Sequence, residues 1–375
     1  MKKILSAILV SLVVAACSNT DSNQHQEDGN ATHRQPRYAR GFDIYEHEEY
    51  VEIILFNPWK DKDIVTRYFL VRNNEIVTPD NGIKIKIPVR SVASTAVTQY
   101  EFISMIGETK SIRAICSPEI TYNAKIKALY SAGKIENLGD AFNINREKMI
   151  ILNPDVTFAT LYNESSIHNQ LNDNGGVTMV FDNEWTEQSI LARAEWIKFI
   201  GAFYDKSDMA DSIFNEIDMS YQEAQKAIVQ QTRRKSVMVG YNYRGTWYTP
   251  GGKSFMGQLL KDANADYHYC NDTTTGSLPL NFETILKNFA DAEVWIGAPT
   301  KTLSELIQMD ERHNLFKAYR QNQVYSFLRR TNDEGANDFW ESGVAHPDLI
   351  LKDIIWALYP EKMAEYEPTY IIRCE

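Results

Sequence analysis

The chain has 375 residues, of which 43% are hydrophobic and 24% charged, with a formal net charge of −11. This length and apolar content suit two globular cores better than one. The acid excess argues against nucleic acid as a partner, since its binders need broad basic faces, and no apolar run is long enough to span a membrane.

Lys2 and Lys3 precede an apolar run at residues 4–14, the length of a secretory signal core. It closes on Val14-Ala15-Ala16-Cys17, and small residues followed by cysteine resemble a bacterial lipobox. The resemblance implies removal of residues 1–16, acylation of Cys17, and an exported protein held at a membrane surface. Residues 17–35 then form a polar tether without apolar periodicity. The remaining cysteines, Cys116, Cys270 and Cys374, allow one disulfide in any of three pairings, or none. His268 and Cys270 are too sparse for a metal site, and none is expected.

Residues 36–87 read as a β-rich lead-in. Runs at 42–54 and 65–71 carry β-branched and aromatic residues, separated by a turn at Asn57-Pro58 and followed by another at Asp80-Asn81-Gly82. From residue 88 the rhythm changes. Short apolar strands at 89–93, 112–116, 156–160 and 177–181 alternate with helices at 96–105, 122–131, 146–152 and 166–172. This alternation predicts an α/β lobe with a mostly parallel sheet over 88–186.

Residues 187–234 connect this lobe to the next. A helix at 187–203 leads into an uninterrupted amphipathic pattern at 207–230, with Met209, Ile213, Ile217, Ala224 and Ile228 at helical spacing. Ser207 is placed to cap it, and Arg233-Arg234-Lys235 complement its C-terminal dipole. At ~1.5 Å per residue it spans roughly 35 Å, enough to join two lobes. The alternation resumes over 235–375, with strands at 236–241, 292–297 and 324–327 and helices at 254–263, 284–289, 303–309, 347–358 and 361–366. The expected fold is therefore α/β, two Rossmann-like lobes bridged by one long helix, with a β-rich N-terminal lead-in.

One unit recurs in both halves. Asn145-Arg146-Glu147 opens a helix that runs through Asn153-Pro154-Asp155 into a strand, and Asn281-Phe282-Glu283 opens another that runs through Ala290-Asp291 into a strand. A carboxylate in a first turn is favoured by the helix dipole, so this pattern has a structural reason of its own.

The first unit, the run Tyr248-Thr249-Pro250-Gly251-Gly252-Lys253-Ser254-Phe255-Met256, and Phe339-Trp340-Glu341-Ser342-Gly343 leading to His346-Pro347-Asp348 together resemble the substrate-binding proteins of ABC importers for iron chelates, haem or cobalamin. The resemblance covers residues 88–360. It implies the helical-backbone type of periplasmic binding protein, a monomer whose lobes close only slightly on a ligand held between them. It also implies that a glutamate on each lobe, here Glu147 and Glu283, docks on the permease, whose ATPase subunits drive release.

Large, partly flat metal chelates call for aromatic walls with a few polar tips. Tyr243, Arg244, Trp247 and Tyr248 follow the second lobe's first strand, at the end where α/β lobes place ligands. Trp340 sits on the last cleft loop, and Phe142 and Tyr162 stand at the corresponding end of the first lobe. Arg244 suits an anionic chelate such as a carboxylate-bearing ferric siderophore or haem. No catalytic residue and no resident cofactor is expected. Gly251-Gly252-Lys253-Ser254 fails as a phosphate loop because Trp247 stands where the pattern needs glycine. Two rivals remain at this level, an exported lipoprotein enzyme and a ligand-capturing lipoprotein that works without a permease.

Overall fold

The computed structural model describes residues 31–164 and 176–375. Cys17, most of the expected tether, and the helix expected at 166–172 lie outside the described residues. The lead-in is a five-stranded sheet in sequential order, β1 (Thr32–His33), β2 (Phe42–Glu46), β3 (Tyr50–Phe56), β4 (Ile64–Val71) and β5 (Ile83–Lys86). The run expected at 42–54 thus folds as two strands paired in antiparallel register, with Ile44 opposite Ile53 and Phe42 opposite Leu55. Alternation sends Phe42, Ile44, Ile53, Leu55, Tyr68, Leu70 and Ile85 into the same core as the first lobe. The Tyr68 hydroxyl accepts the Phe181 amide at 3.0 Å, fastening this sheet to the lobe beside it.

The first lobe is built from β6 (Val92–Ser94), helix α1 (Val97–Met105), β7 (Ile112–Ile115), α2 (Ala124–Ser131), β8 (Glu136–Asn137), a hairpin of β9 (Gly139–Asp140) and β10 (Asn143–Ile144), α3 (Arg146–Leu152), β11 (Val156–Ala159) and β12 (Met179–Phe181). The parallel order β12-β11-β6-β7-β8 reverses direction between β6 and β11, and such a switch point opens a crevice at the strands' C-terminal ends. Gln99 holds that point together. Its Oε1 accepts from Ser94 Oγ, Thr95 N and Ala96 N, and its Nε2 donates to Thr160 Oγ1 at 3.1 Å.

Three helices connect the halves: α4 (Ile190–Ala194), α5 (Trp196–Phe203) and α6 (Ser207–Ile228). The helix expected at 187–203 is therefore two helices meeting at Glu195, and α6 ends at Ile228. Lys206, not Ser207, occupies the cap position, with no side-chain bond to the first turn. The buried face of α6 is Ala210, Phe214, Ile217, Asp218, Tyr221 and Ile228, while Met209 is exposed. Ala210 and Phe214 belong to the first core, and Tyr221 and Ile228 to a second. One helix thus contributes its two halves to two cores.

The second lobe comprises β13 (Ser236–Val239), a hairpin of β14 (Tyr241–Tyr243) and β15 (Thr246–Pro250), α7 (Phe255–Asp262), β16 (Asp266–Tyr267), β17 (Ser277–Leu280), α8 (Phe282–Phe289), β18 (Val294–Ile296), α9 (Leu303–Met309), α10 (Lys317–Arg320), β19 (Val324–Ser326), α11 (Ser342–Ala345), α12 (Pro347–Leu358) and β20 (Ile372–Arg373). Its main sheet runs β16-β13-β18-β19-β20, parallel except for β20, and β14-β15-β17 form a separate antiparallel sheet. The strand expected at 236–241 breaks at Gly240, whose φ of +90° and 2.0 Å ideal-Cβ approach to the Tyr248 carbonyl oxygen admit only glycine. The helix expected at 361–366 is reduced to a 3₁₀ turn, Pro360–Lys362.

Residues 34–41 lie along the connecting helices as a strap. The fully buried Glu195 carboxylate accepts the amides of Arg37, Tyr38 and Ala39 at 2.8, 2.7 and 2.9 Å. Glu187 accepts those of Arg40 and Gly41, both at 2.9 Å, and Arg34 reaches Asp208 and Asp211 on α6, both at 2.8 Å. The Tyr38 side chain packs against both cores. Removing the acceptor strands three amides, each worth about 1–3 kcal/mol when left unpaired. Glu195→Ala should therefore lower unfolding stability by about 3 kcal/mol or more, and Glu195→Gln, which keeps one accepting oxygen, by less; urea titration of both variants measures the difference.

Candidate ligand-binding cleft

The loops that follow the parallel strands of the two lobes meet. Glu341, after β19, accepts the amides of Tyr122 and Asn123, after β7, at 2.6 and 2.8 Å. Beside it Asn332 Nδ2 donates to the Thr121 carbonyl at 3.3 Å, and Lys127 pairs with Glu334 at 2.8 Å. Gln258 Nε2 on α7 donates to the Gln188 carbonyl, tying the second lobe to the start of the connecting segment. A cavity of about 850 Å³ lies at the first contact, lined among others by Glu101, Tyr122, Lys125, Arg330, Asp338 and Ser342.

This contact concentrates buried acids. Burial pushes the Glu341 carboxyl up to about 7, with Glu101 and Asp338 adding like charge and the two amides opposing. Glu101 is raised too, chiefly by burial, while Asn123 donates to it at 3.0 Å. Asp338 is balanced by Arg330 at 2.6 Å, whose guanidinium lies 5.4 Å from the Tyr122 ring centroid. The adjacent Arg329 pairs with Glu367 at 2.5 Å.

The first lobe presents an aromatic ladder at its strands' C-terminal ends. Phe142, at the tip of the β9–β10 hairpin and 78% exposed, packs against Tyr162 with centroids 4.4 Å apart and the rings tilted by 34°. Tyr162, just after β11, is followed by Trp185, after β12, at 6.4 Å. Trp185 is half-exposed and anchored by its indole N–H to the Leu161 carbonyl at 3.2 Å. Phe142 and Tyr162 are thus brought together as the sequence placed them. Trp185 was missed; its signal is a tryptophan in a polar Asp-Asn-Glu stretch directly after a predicted strand.

In the second lobe the residues that follow β13 form the β14–β15 hairpin. Arg244 and Gly245, with φ of +53° and +90°, form its two-residue turn, the geometry that suits the twist of a hairpin. Tyr241 lies opposite Tyr248, Asn242 opposite Trp247, and Tyr243 opposite Thr246. Alternation puts Tyr241, Tyr243 and Tyr248 on one exposed face, with Arg244 5.2 Å from the Tyr243 ring centroid. Trp247 cannot share that face. It is 0% exposed, packs against Trp295 and Phe316 at 5.4 and 5.8 Å, and donates to the Val239 carbonyl at 3.1 Å. The expectation that Trp247 lines a cleft is corrected: it is a core residue, because neighbours on a strand point to opposite sides. Trp340 is 56% exposed and sits edge-on to Phe339, 4.7 Å away.

Glu147 and Glu283 are both exposed in first turns, of α3 and α8, capped by Asn145 and Asn281 accepting from Lys148 N and Thr284 N. Cys116, Cys270 and Cys374 are all free thiols, the first and last buried. Among the described residues no group of three or more His, Cys, Asp or Glu could hold a metal ion.

Two α/β lobes on a bridging helix, with aromatic surfaces at the facing strand ends, define a bilobal solute-binding protein. The chain belongs to the periplasmic binding protein family, whose model matches residues 92–329. An uncharacterized lipoprotein of Methanocaldococcus jannaschii is 27% identical, the match covering 96% of this chain and 94% of that one; a second from the same organism is 20% identical over 86% and 88%. Solved structures of similar fold include a possible iron-binding periplasmic solute-binding protein of Staphylococcus epidermidis (TM-score 0.56, 19% identity, 72% of this chain and 99% of that one). The apo haem-binding protein RhuT of Roseiflexus aligns with TM-score 0.55 at 14% identity, over 73% of this chain and 99% of that one. The Helicobacter pylori protein CeuE with bound Ni(II) aligns with TM-score 0.57 at 15% identity, over 78% and 91%.

Glu341 makes the lobe contact pH-dependent. Its folded value lies above the ordinary 4.5, so its contribution is full below that pH and is lost as pH rises through about 7. His346 nearby is lowered by burial and acts in the opposite sense, so a difference measurement is needed. Relative to Glu341→Gln, the wild type should lose about 3 kcal/mol of stability between pH 4.5 and 8; urea midpoints across that range, compared for the two proteins, check it.

Proposed function

We propose that this chain is the lipid-anchored substrate-binding component of an ABC importer, capturing an iron complex (ferric siderophore or haem) or cobalamin between its lobes. Cys17 is the acylated residue, residues 1–16 are a signal peptide, and the exported body, divided at 88–186, 187–234 and 235–375, stands beside the permease. The observation that carries the reading is the paired aromatic surface: Phe142, Tyr162 and Trp185 on one lobe, Tyr241, Tyr243, Tyr248 and Trp340 on the other. Exposed aromatic side chains of this number are costly to leave in water and well suited to a large, partly flat ligand. The named functions of the structural neighbours, iron and haem binding, support the same ligand class.

The arginines narrow the ligand's charge. Arg329 and Arg330 are engaged by Glu367 and Asp338, whereas Arg244, beside the Tyr243 ring, has no carboxylate partner among the described residues. A ligand with one or two anionic groups fits that supply better than a highly charged one. Glu147 and Glu283 serve as the permease contacts, on matching first turns of the two lobes, so that one docking event registers both. No chemical step belongs to the chain, and the ATPase subunits supply the work of release.

The test is titration of the purified chain with haemin, cobalamin and ferric siderophores, followed by quenching of tryptophan fluorescence. One of these should bind, and Tyr162→Ala or Tyr248→Ala should each weaken it about tenfold. Joint Glu147→Lys and Glu283→Lys should leave that affinity unchanged and abolish stimulation of the permease ATPase. Failure of every chelate to bind sinks the ligand class; undiminished stimulation by the double variant sinks the docking pair, and absence of stimulation by the wild type favours a carrier without a permease.

A further inference from the structure

A second concavity, about 500 Å³, opens where β6 and β7 begin, at the end of the first sheet remote from the cleft. Arg90, Lys110, Arg113 and Lys206 line it against one carboxylate, Glu108. Lys206 is already engaged, 2.5 Å from Glu108 and donating to the Ile106 carbonyl at 2.8 Å. The side chains of Arg90, Lys110 and Arg113 are exposed, and among the described residues no carboxylate pairs with them. Asp155, the other acid nearby, accepts the backbone amides of Arg90 and Ser91 on a single oxygen, Oδ2, at 2.7 and 3.0 Å, and pairs with none of the three side chains. The floor needs no partner: the Tyr204 and Ser111 hydroxyls bond at 2.8 Å, and Ser111 donates to the Glu108 carbonyl at 2.8 Å.

Three unpaired cations around one hollow are out of character for this chain, which has 50 acidic against 39 basic side chains. With Glu108 taken by Lys206, the three remaining like charges repel one another, and a bound anion relieves that cost. Two guanidinium forks match the paired oxygens of a phosphate group, and a lysine ammonium adds a point charge.

We propose that this basal pocket binds a phosphate-bearing anion, either free in solution or as the headgroup of an anionic lipid. The site is independent of whatever occupies the cleft. Its place at the opposite end of the first lobe's sheet lets both be filled at once.

The full chain is titrated with inorganic phosphate by calorimetry and floated with vesicles of phosphatidylglycerol or of phosphatidylcholine. Three proteins are compared: wild type, R90Q/K110Q/R113Q, and a charge-matched variant, K134Q/K261Q/K301Q, altered at exposed lysines outside the pocket. An acyl anchor would act equally on both vesicle types, so the pocket is read from their difference. Wild type and charge-matched protein should bind phosphate, prefer phosphatidylglycerol, or both, and the pocket variant should lose at least about tenfold in affinity. Added salt should weaken the interaction. Preference for phosphatidylglycerol assigns a lipid headgroup, and phosphate binding without that preference assigns a free anion. R113Q alone, an exposed strand position, serves should the triple variant misfold, and should itself weaken binding severalfold. Equal behaviour of pocket and charge-matched variants, or no binding of either ligand by wild type, overturns the proposal.

Discussion

The cleft owes its spacing to one carboxylate. Glu341 belongs to the second lobe, yet both its oxygens are taken by backbone amides of the first, at Tyr122 and Asn123. Those amides precede α2 and, among the described residues, have no acceptor within their own lobe, so the second lobe completes the first. The carboxylate is fully buried, and burying it without such donors would be prohibitive. The cost of desolvation and the value of the two bonds thus stand or fall together, and both depend on the lobes remaining in contact. An opening that broke this contact would expose Glu341 to water and let its carboxyl return toward the ordinary range.

The same device recurs at both ends of the chain. Glu195 and Glu187 gather five amides of the strap at residues 37–41, and Asp353 on α12 gathers those of Thr369, Tyr370 and Ile371 just before β20. In each case a segment without a continuous strand partner has its donors satisfied by a buried carboxylate, as buried backbone requires. Segments outside the two lobe sheets are fixed in this way to the helices between and behind the lobes. This is why the lead-in sheet and the first lobe share one core.

The alternation of strands and helices was legible because a parallel sheet covered on both faces leaves short apolar runs, and β11, β12 and β18 are such runs. The bridging helix was legible from its uninterrupted period, but its inward side was not. Met209 fits the apolar stripe as well as Ala210 does, and only the neighbours of α6 decide which faces in: α5 and the strap on one flank, α12 on the other. Trp247 shows a similar limit. Residues 241–248 form a hairpin too short for a long periodic signal, so the strand alternation that decides on which side each ring falls is not legible in the sequence. Its neighbour Tyr248, identical in sequence context, takes the exposed face for that reason alone. Glu341 left no trace, since its partners lie 218 and 219 residues away along the chain.

These ties bear on how the protein moves. Ala210 and Phe214 are fixed in one core and Tyr221 and Ile228 in the other, so α6 cannot bend without disturbing packing at both ends. Closely packed cores are stiff, and a straight helix has no hinge unless its backbone ladder is interrupted; α6 contains neither glycine nor proline. The strap adds a second restraint along the same span, with Tyr38 touching both cores and its hydroxyl donating to Asp218 on α6 at 2.8 Å. Large rotation of one lobe against the other would have to break the strap, the Glu341 contact and one end of α6 together. Small motions are left to the surfaces that none of these restrains, the β9–β10 and β14–β15 hairpins that carry Phe142, Tyr243 and Tyr248. Adjustment to a ligand then falls on exposed aromatic rings rather than on the frame, and a nearly preformed cleft follows from how the chain is fastened.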